Sequence, residues 1–253
     1  MGFAGKTVWI IGASDGIGAA LARALAGQGA KLILSARNRA ALEDLAAACG
    51  GARVLPLDLA EAGSLSGSLS AAVAEIAPGT LDAVICTAAL YDPGRVEDLN
   101  PDATARLVAV NLLGSFEVAR LAPPLLRDGG QLVLFGSVAG YFGLPGGQPY
   151  SATKAAVNNL AETLRVELAP RIDVRLVCPG FVSTRLTAKN DFAMPAIITP
   201  DQAAQAVIRG LQGRAFELHF PKRFTWAVKV LRALPYALSL RLTARLGVRS
   251  GGR

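Results

Sequence analysis

The sequence predicts an α/β protein, a doubly wound parallel sheet of about seven strands in a single domain. Three observations carry this. Short β-rich apolar runs alternate with longer stretches of helical period, with no repeat, low-complexity segment or linker between them. The runs are apolar at successive positions, the pattern of strands covered on both faces. And 253 residues, 52% hydrophobic and 18% charged, suit one large buried core and exclude a disordered chain.

In chain order, strand Thr7–Ile11 runs into a glycine turn and helix Gly16–Gln28. Strand Lys31–Ser35 precedes helix Ala40–Ala48, and strand Arg53–Leu57 precedes helix Gly63–Ile76. Strand Ala83–Cys86 leads to a long helix, Pro101–Leu126, opened by its proline. Strand Gln131–Phe135 is followed by helix Tyr150–Leu168, and strand Asp173–Val177 by a long connection and helix Pro200–Gly210. Glu217–Phe220 is the last strand. Residues 1–221 then form one α/β unit, with 222–253 a basic amphipathic helical extension of the same domain.

Composition narrows the chemistry. Mean hydropathy is high at +0.39, yet no uninterrupted apolar run of about 18 residues exists, so no integral membrane protein is expected. No signal-peptide pattern opens the chain, and Lys6 stands where a myristoylation motif after Gly2 wants Ser or Thr. Cys49, Cys86 and Cys178 lack metal-ligand spacing and read as free thiols of a cytoplasmic protein. His219 is the sole histidine, which argues against a Ser-His-Asp triad or a multi-histidine metal centre, and no metal is expected. The net charge of +7 belongs to the tail: residues 1–213 carry 17 basic and 18 acidic side chains, residues 214–253 nine basic and Glu217 alone. That is poor support for nucleic-acid binding by the domain.

The first strand ends in Gly12-Ala13-Ser14-Asp15-Gly16-Ile17-Gly18. Glycines here let the backbone turn tightly beside a pyrophosphate, and the following helix offers free N–H groups and its positive dipole end. Glycine turns after strands also arise for steric reasons alone; the position after strand one favours nucleotide binding and a Rossmann-like sheet. The second strand is followed by Ala36-Arg37-Asn38-Arg39, with no acidic residue to hold ribose hydroxyls. Arg37 suits a 2′-phosphate, so NADP(H) is expected over NAD(H), the alternative being a solvated arginine loop. Asp58 either caps a turn or bonds the adenine amino group.

Tyr150 and Lys154, four apart, share one helix face. A free tyrosine is a weak base near neutrality, and a neighbouring ammonium lowers its pKa towards usable proton transfer. Ser137 follows a strand at the carboxyl edge, where its hydroxyl can orient a carbonyl. Taken singly, these are an interfacial tyrosine, a solvated lysine and a turn serine.

Together, Gly12-x₃-Gly16-x-Gly18, Ser137, Tyr150-x₃-Lys154 and Pro179-Gly180 resemble the short-chain dehydrogenase/reductase family over residues 5–220. The resemblance implies Tyr150 as general acid/base, Lys154 as its pKa modulator and nicotinamide-ribose ligand, and Ser137 as substrate orienter. Asn111 matches the asparagine that holds a helix bulge and a water in the proton relay. Around the cofactor it implies the loop residues Gly12, Ser14, Asp15, Gly16, Ile17 and Gly18. It adds the pair Asp58 and Leu59, then Ala88, and finally Pro179, Gly180 and Thr184. It also implies a homo-oligomer, dimer or tetramer, joined through the helices Pro101–Leu126 and Tyr150–Leu168. Two departures stand out: Cys86-Thr87-Ala88-Ala89 replaces Asn-Asn-Ala-Gly, removing polar groups that tie strand four to its neighbours, and Ile11 replaces threonine.

The connection Phe181–Pro200, with Met194-Pro195-Ala196-Ile197-Ile198, and the residues Phe142 and Leu144 favour an apolar carbonyl or alcohol substrate, routine packing being the alternative. In the tail, Lys222, Arg223, Lys229 and Arg232 are expected on one helix face, with Phe224, Val228 and Leu231 on the other and Trp226 near the boundary. Past Pro235, Arg241, Arg245 and Arg249 recur beside Leu238, Leu242 and Leu246. Such helices lie in membrane interfaces, or pack on their own domain or on a sister subunit with the arginines outward. The expected function is NADP(H)-dependent interconversion of a secondary alcohol and a ketone. The alternative is a non-enzymatic nucleotide-binding or scaffold protein held to a membrane or partner by its tail.

Overall fold

The computed structural model describes residues 2–61, 68–190 and 192–247. Its strands are β1 (Thr7–Ile11), β2 (Lys31–Ser35), β3 (Arg53–Val54), β4 (Leu81–Cys86), β5 (Leu126–Phe135), β6 (Ile172–Pro179) and β7 (Glu217–Phe220). They form a parallel sheet in the order β3-β2-β1-β4-β5-β6-β7. The chain therefore winds outward from β1 in one direction and then, from β4, in the other. The crevice between the ends of β1 and β4 is where sheets of this kind hold ligands. The register keeps the strand ends level: Ile11 pairs with Ser35 and Cys86, Cys86 with Leu134, and Phe135 with Val177.

Alternate residues of each strand serve two cores. Val8 and Ile10 point into one, with α1 (Gly16–Ala26), α2 (Arg39–Ala48) and α7 (Pro200–Leu211). Trp9 and Ile11 point into the other, with α3 (Ser68–Ala74), α5 (Gly114–Leu121) and α6 (Tyr150–Glu167). Both faces of the sheet are thus dry, which is why the strand sequences lack polar alternation.

Several boundaries differ from the sequence expectation. The third strand closes its ladder at Val54, although the Leu55 and Leu57 amides still donate to Leu34 and Ala36. The third helix begins at Ser68; Gly63 to Gly67 lie outside the described residues. The long helix expected over Pro101–Leu126 is three pieces: α4 (Pro101–Val108), a π-helical segment Ala109–Leu113, and α5, after which Leu126 already belongs to β5. Buried Asn111 sits in the π segment, and Ser115 Oγ donates to its carbonyl at 2.7 Å.

The tail forms α8 (Lys222–Ala233) and α9 (Tyr236–Gly247). Phe224, Val228 and Leu231 face inward as expected, but Lys229 does not join the basic outer face. It turns in to pair with Glu217, which also accepts from Tyr141. Burial raises the Glu217 pKa, but these bonds outweigh it and hold the carboxyl below its ordinary range. His219 is paired at 2.7 Å with Thr225, a structural role. Arg249 lies outside the described residues.

Candidate active site

The site is assembled where β1, β4, β5 and β6 end. After β1 the chain turns through Gly12, φ +92°, and Gly16, φ +54°. A Cβ on Gly12 would stand 2.5 Å from the Ala88 amide, and one on Gly18 would stand 2.2 Å from the Gly12 carbonyl. Both positions therefore need glycine for close approach. Asp15 caps α1, accepting from Gly16 N–H at 2.7 Å. Intrahelical bonding starts at Ala19, so the N–H groups of Ile17 and Gly18 have no carbonyl partner one turn back.

The departure after β4 is repaired locally. The Thr87 hydroxyl donates to the Gly12 and Ile11 carbonyls at 3.0 and 3.1 Å. The expected loss of a polar tie between strand four and its neighbour does not occur, because one threonine spans the gap. Further on, Leu90 N–H donates to Asn111 Oδ1 at 2.7 Å, and Asn111 Nδ2 donates to the Leu90 carbonyl at 2.9 Å. The π segment thus pins the backbone that leads from Ala88 past the site.

Ser137 ends the β5 connection and opens a 3₁₀ turn, its Oγ accepting from Ala139 N–H at 3.1 Å. Two glycines let this turn lie on α6. A Cβ on Gly136 would meet Asn158 Oδ1 at 1.9 Å, and one on Gly140 would meet the Lys154 backbone at 2.7 Å. Tyr150 opens α6, and Lys154 follows one turn later, buried, with Nζ donating to the Phe135 carbonyl at 2.7 Å. Nζ lies 5.6 Å from the centroid of the Tyr150 ring.

Burial dominates the electrostatics of both groups. Burial around the Tyr150 oxygen pushes its pKa up to about 12, against a lowering hydrogen bond from Ser137. Burial pulls Lys154 down to about 8, with only the thiols of Cys86 and Cys178 nearby to raise it. Desolvation is the largest cause at both groups, and at Tyr150 it favours the protonated phenol.

The remaining residues surround the cofactor side. Arg37 is exposed at the end of β2 and has no ion-pair partner among the described residues, whereas Arg39 is paired with Glu43. Asp58 holds its own turn, accepting from Ala60 N–H, and pairs with Arg106 at 3.2 Å; Leu59 is buried against Gly114. Gly180 N–H donates to the Phe220 carbonyl at 2.7 Å. Thr184 reaches back over the glycine turn, within 3.1 Å of where a Gly16 Cβ would stand.

Three contributors escape the sequence reading. Arg185 pairs with Asp15 at 3.1 Å and ties the segment after β6 to the glycine turn. Tyr91 packs edge-on against Tyr150, centroids 4.9 Å apart, and donates to Asn190 at 2.6 Å. Lys189 donates to the Tyr91 carbonyl at 2.9 Å, so the segment around residue 190 is fastened beside the tyrosines. For Tyr91 the available signal was an aromatic residue just past the altered strand-four motif; Arg185 offered none.

The donor set fits a phosphate-bearing dinucleotide: a helix N-terminus behind a glycine turn, an exposed arginine after the second strand, and a lysine near the phenol. Among the described residues no group of three or more His, Cys, Asp or Glu is placed to hold a metal.

The sequence model of a family described as short chain dehydrogenase matches residues 6–194. An uncharacterized oxidoreductase of Myxococcus xanthus is 31% identical over 241 residues, 92% of this chain and 94% of that protein. The ketoacyl reductase HetN of Nostoc is 31% identical over 225 residues, covering 85% and 78%. Among solved structures, a short chain dehydrogenase of Burkholderia cenocepacia in complex with NADP superposes with a TM-score of 0.82 at 29% identity, covering 96% and 99%.

Proposed function

The chain belongs to the short-chain dehydrogenase/reductase family, and from that premise we propose that it is an NADP(H)-dependent oxidoreductase interconverting a secondary alcohol and a ketone. The observation that carries this reading is the convergence of Ser137, Tyr150 and Lys154 on the carboxyl edge of the sheet, beside the β1–β4 crevice. The NADP bound by the Burkholderia relative supports the cofactor.

The turn from Gly12 to Gly18, with Ser14, Asp15, Gly16 and Ile17, would hold the pyrophosphate, and Arg37 the 2′-phosphate. Asp58, Leu59 and Ala88 would hold the adenosine half. Lys154, Pro179, Gly180 and Thr184 would hold the nicotinamide half. When bound, the cofactor supplies or takes up a hydride at the substrate carbon. The protein's own residues manage the oxygen. Ser137 offers its hydroxyl to the carbonyl oxygen and orients it. Tyr150, held protonated, donates its phenolic proton as charge develops on that oxygen. Lys154 stabilises the resulting phenolate from one helical turn away, and Asn111 holds the π segment and the Leu90 backbone in place.

Phe181 and Phe192, in edge contact at 5.8 Å, line the connection fastened beside Tyr91, which favours an apolar ketone. Exposed Leu113, Phe116 and Val166 support assembly as a homo-oligomer through α5 and α6. The scaffold alternative drew on the altered strand-four motif, and the Thr87 bonds count against the part of it that rested on a lost polar tie. Titration of the purified protein with NADPH and NADH tests the proposal. Selective NADPH binding is expected; binding of neither would return the scaffold reading.

A further inference from the structure

The tail helices turn apolar side chains outward and small polar ones inward. In α9, Ser239 and Thr243 are buried while Tyr236, Leu238, Leu240 and Leu242 are exposed. The buried hydroxyls are satisfied by the helix's own carbonyls: Ser239 donates to Pro235 at 3.4 Å and Thr243 to Ser239 at 3.1 Å. In α8, the inner face is committed to the domain through Thr225, Val228 and Phe224, leaving Trp226 and Val230 outside, 56% and 58% exposed. This inverts the arrangement a water-facing helix adopts.

Charge identifies what covers such a face. Lys222, Arg223, Arg232 and Arg241 are exposed on the same two helices, and no acidic residue follows Glu217 in the sequence. The one acidic side chain of the region is already spent on Lys229. A two-fold interface with a second copy would press these cations together. A nucleic acid would match the charge but leave the leucines and the tryptophan without apolar partners. An anionic bilayer satisfies both, with headgroups for the basic side chains and acyl chains for the apolar ones. Among the described residues no helix is long and apolar enough to cross a membrane, so the contact is along the surface.

We propose that the outer faces of α8 and α9 form a docking surface for an anionic lipid bilayer. The surface adjoins the site: Phe224, on the inner side of α8, packs on Phe181 at 5.3 Å, and Phe181 on Phe192. A docked enzyme therefore holds the apolar connection of its active site close to the lipid. That consequence for substrate supply rests on the oxidoreductase reading, whereas vesicle binding does not.

The test is flotation of the full chain with vesicles of phosphatidylcholine alone and of equal parts phosphatidylcholine and phosphatidylglycerol. Binding is expected to the anionic vesicles, reversed by high salt. Charge reversal at two exposed sites, Arg223→Glu with Arg241→Glu, should weaken it by roughly fivefold or more per site, since each reversal removes an attraction worth about a factor of five and adds a repulsion. Trp226→Ser with Leu238→Ser and Leu242→Ser should weaken it on the order of tenfold or more. Unchanged circular-dichroism melting shows that the variants remain folded, and unchanged NADPH binding separates a failure here from a failure of the redox reading. No flotation with anionic vesicles overturns the proposal. So does conversion of a dimer to a monomer by the serine variant without vesicle binding by the native chain, which would assign the face to a second copy.

Discussion

Lys154 Nζ donates a 2.7 Å hydrogen bond to the carbonyl of Phe135, the last residue of β5. This bond fixes α6 against the end of the strand that delivers Ser137, and it holds an ammonium group where burial opposes it. The folded pKa of about 8 lies below the ordinary 10.5. Between those values the unfolded chain binds more protons than the folded one, so this group makes stability rise with pH there. The contribution is full above about 10.5 and is lost as pH falls through 8. Denaturant unfolding of the native protein and of Lys154→Met across that window should show the slope diminished in the variant. An equal slope in both would assign the pH dependence to other groups.

Among the described residues Arg37 has no ion-pair partner at the end of β2, while Arg39 is bound to Glu43. Arg37→Ala should raise KM for NADPH on the order of tenfold or more, the scale of a lost charge-assisted bond, and leave KM for NADH nearly unchanged. Steady-state kinetics with the two cofactors checks this, and equal effects would sink the 2′-phosphate assignment.

The strands and glycine turn were legible because continuous apolar runs and Gly12-x₃-Gly16-x-Gly18 are local signals. Only the resemblance, which implied a helix bulge at Asn111, pointed to the break in the helix expected over Pro101–Leu126. It was not legible in periodicity, because the partner backbone at Leu90 lies 21 residues away. The same holds for Tyr91 and Asn190, 99 residues apart, and for Asp15 and Arg185. Spacing placed Tyr150 and Lys154 one turn apart on α6, but the burial that raises one pKa and lowers the other was not legible in it. Desolvation depends on what the fold stacks around a group, and four-residue spacing carries no information about that.

Thr87 replaces a lost polar tie with one hydroxyl shared between the carbonyls of Ile11 and Gly12. Thr87→Val keeps the shape and removes the bond, so thermal unfolding should show a loss of about 0.5–1.5 kcal/mol, with weaker NADPH binding. Thr87→Ser should restore most of both. A valine variant as stable as the native chain would mean the tie is idle.

Gly140 lets the Ser137 turn rest on α6, with no room for a Cβ beside the Lys154 backbone. Gly140→Ala should cost about 1–3 kcal/mol through overpacking and lower kcat more than it alters NADPH binding, because Ser137 is displaced from Tyr150. Calorimetry and kinetics on one preparation would show it.

The central claim is that Tyr150 transfers the proton in an NADPH-dependent carbonyl reduction. Its most direct test is NADPH consumption with a panel of apolar ketones, for the native enzyme and Tyr150→Phe, with NADPH affinity measured alongside. The account predicts native turnover, a loss on the order of 10²–10⁴ in rate for the phenylalanine variant, and near-native NADPH binding in both. Turnover by Tyr150→Phe at the native rate would contradict it.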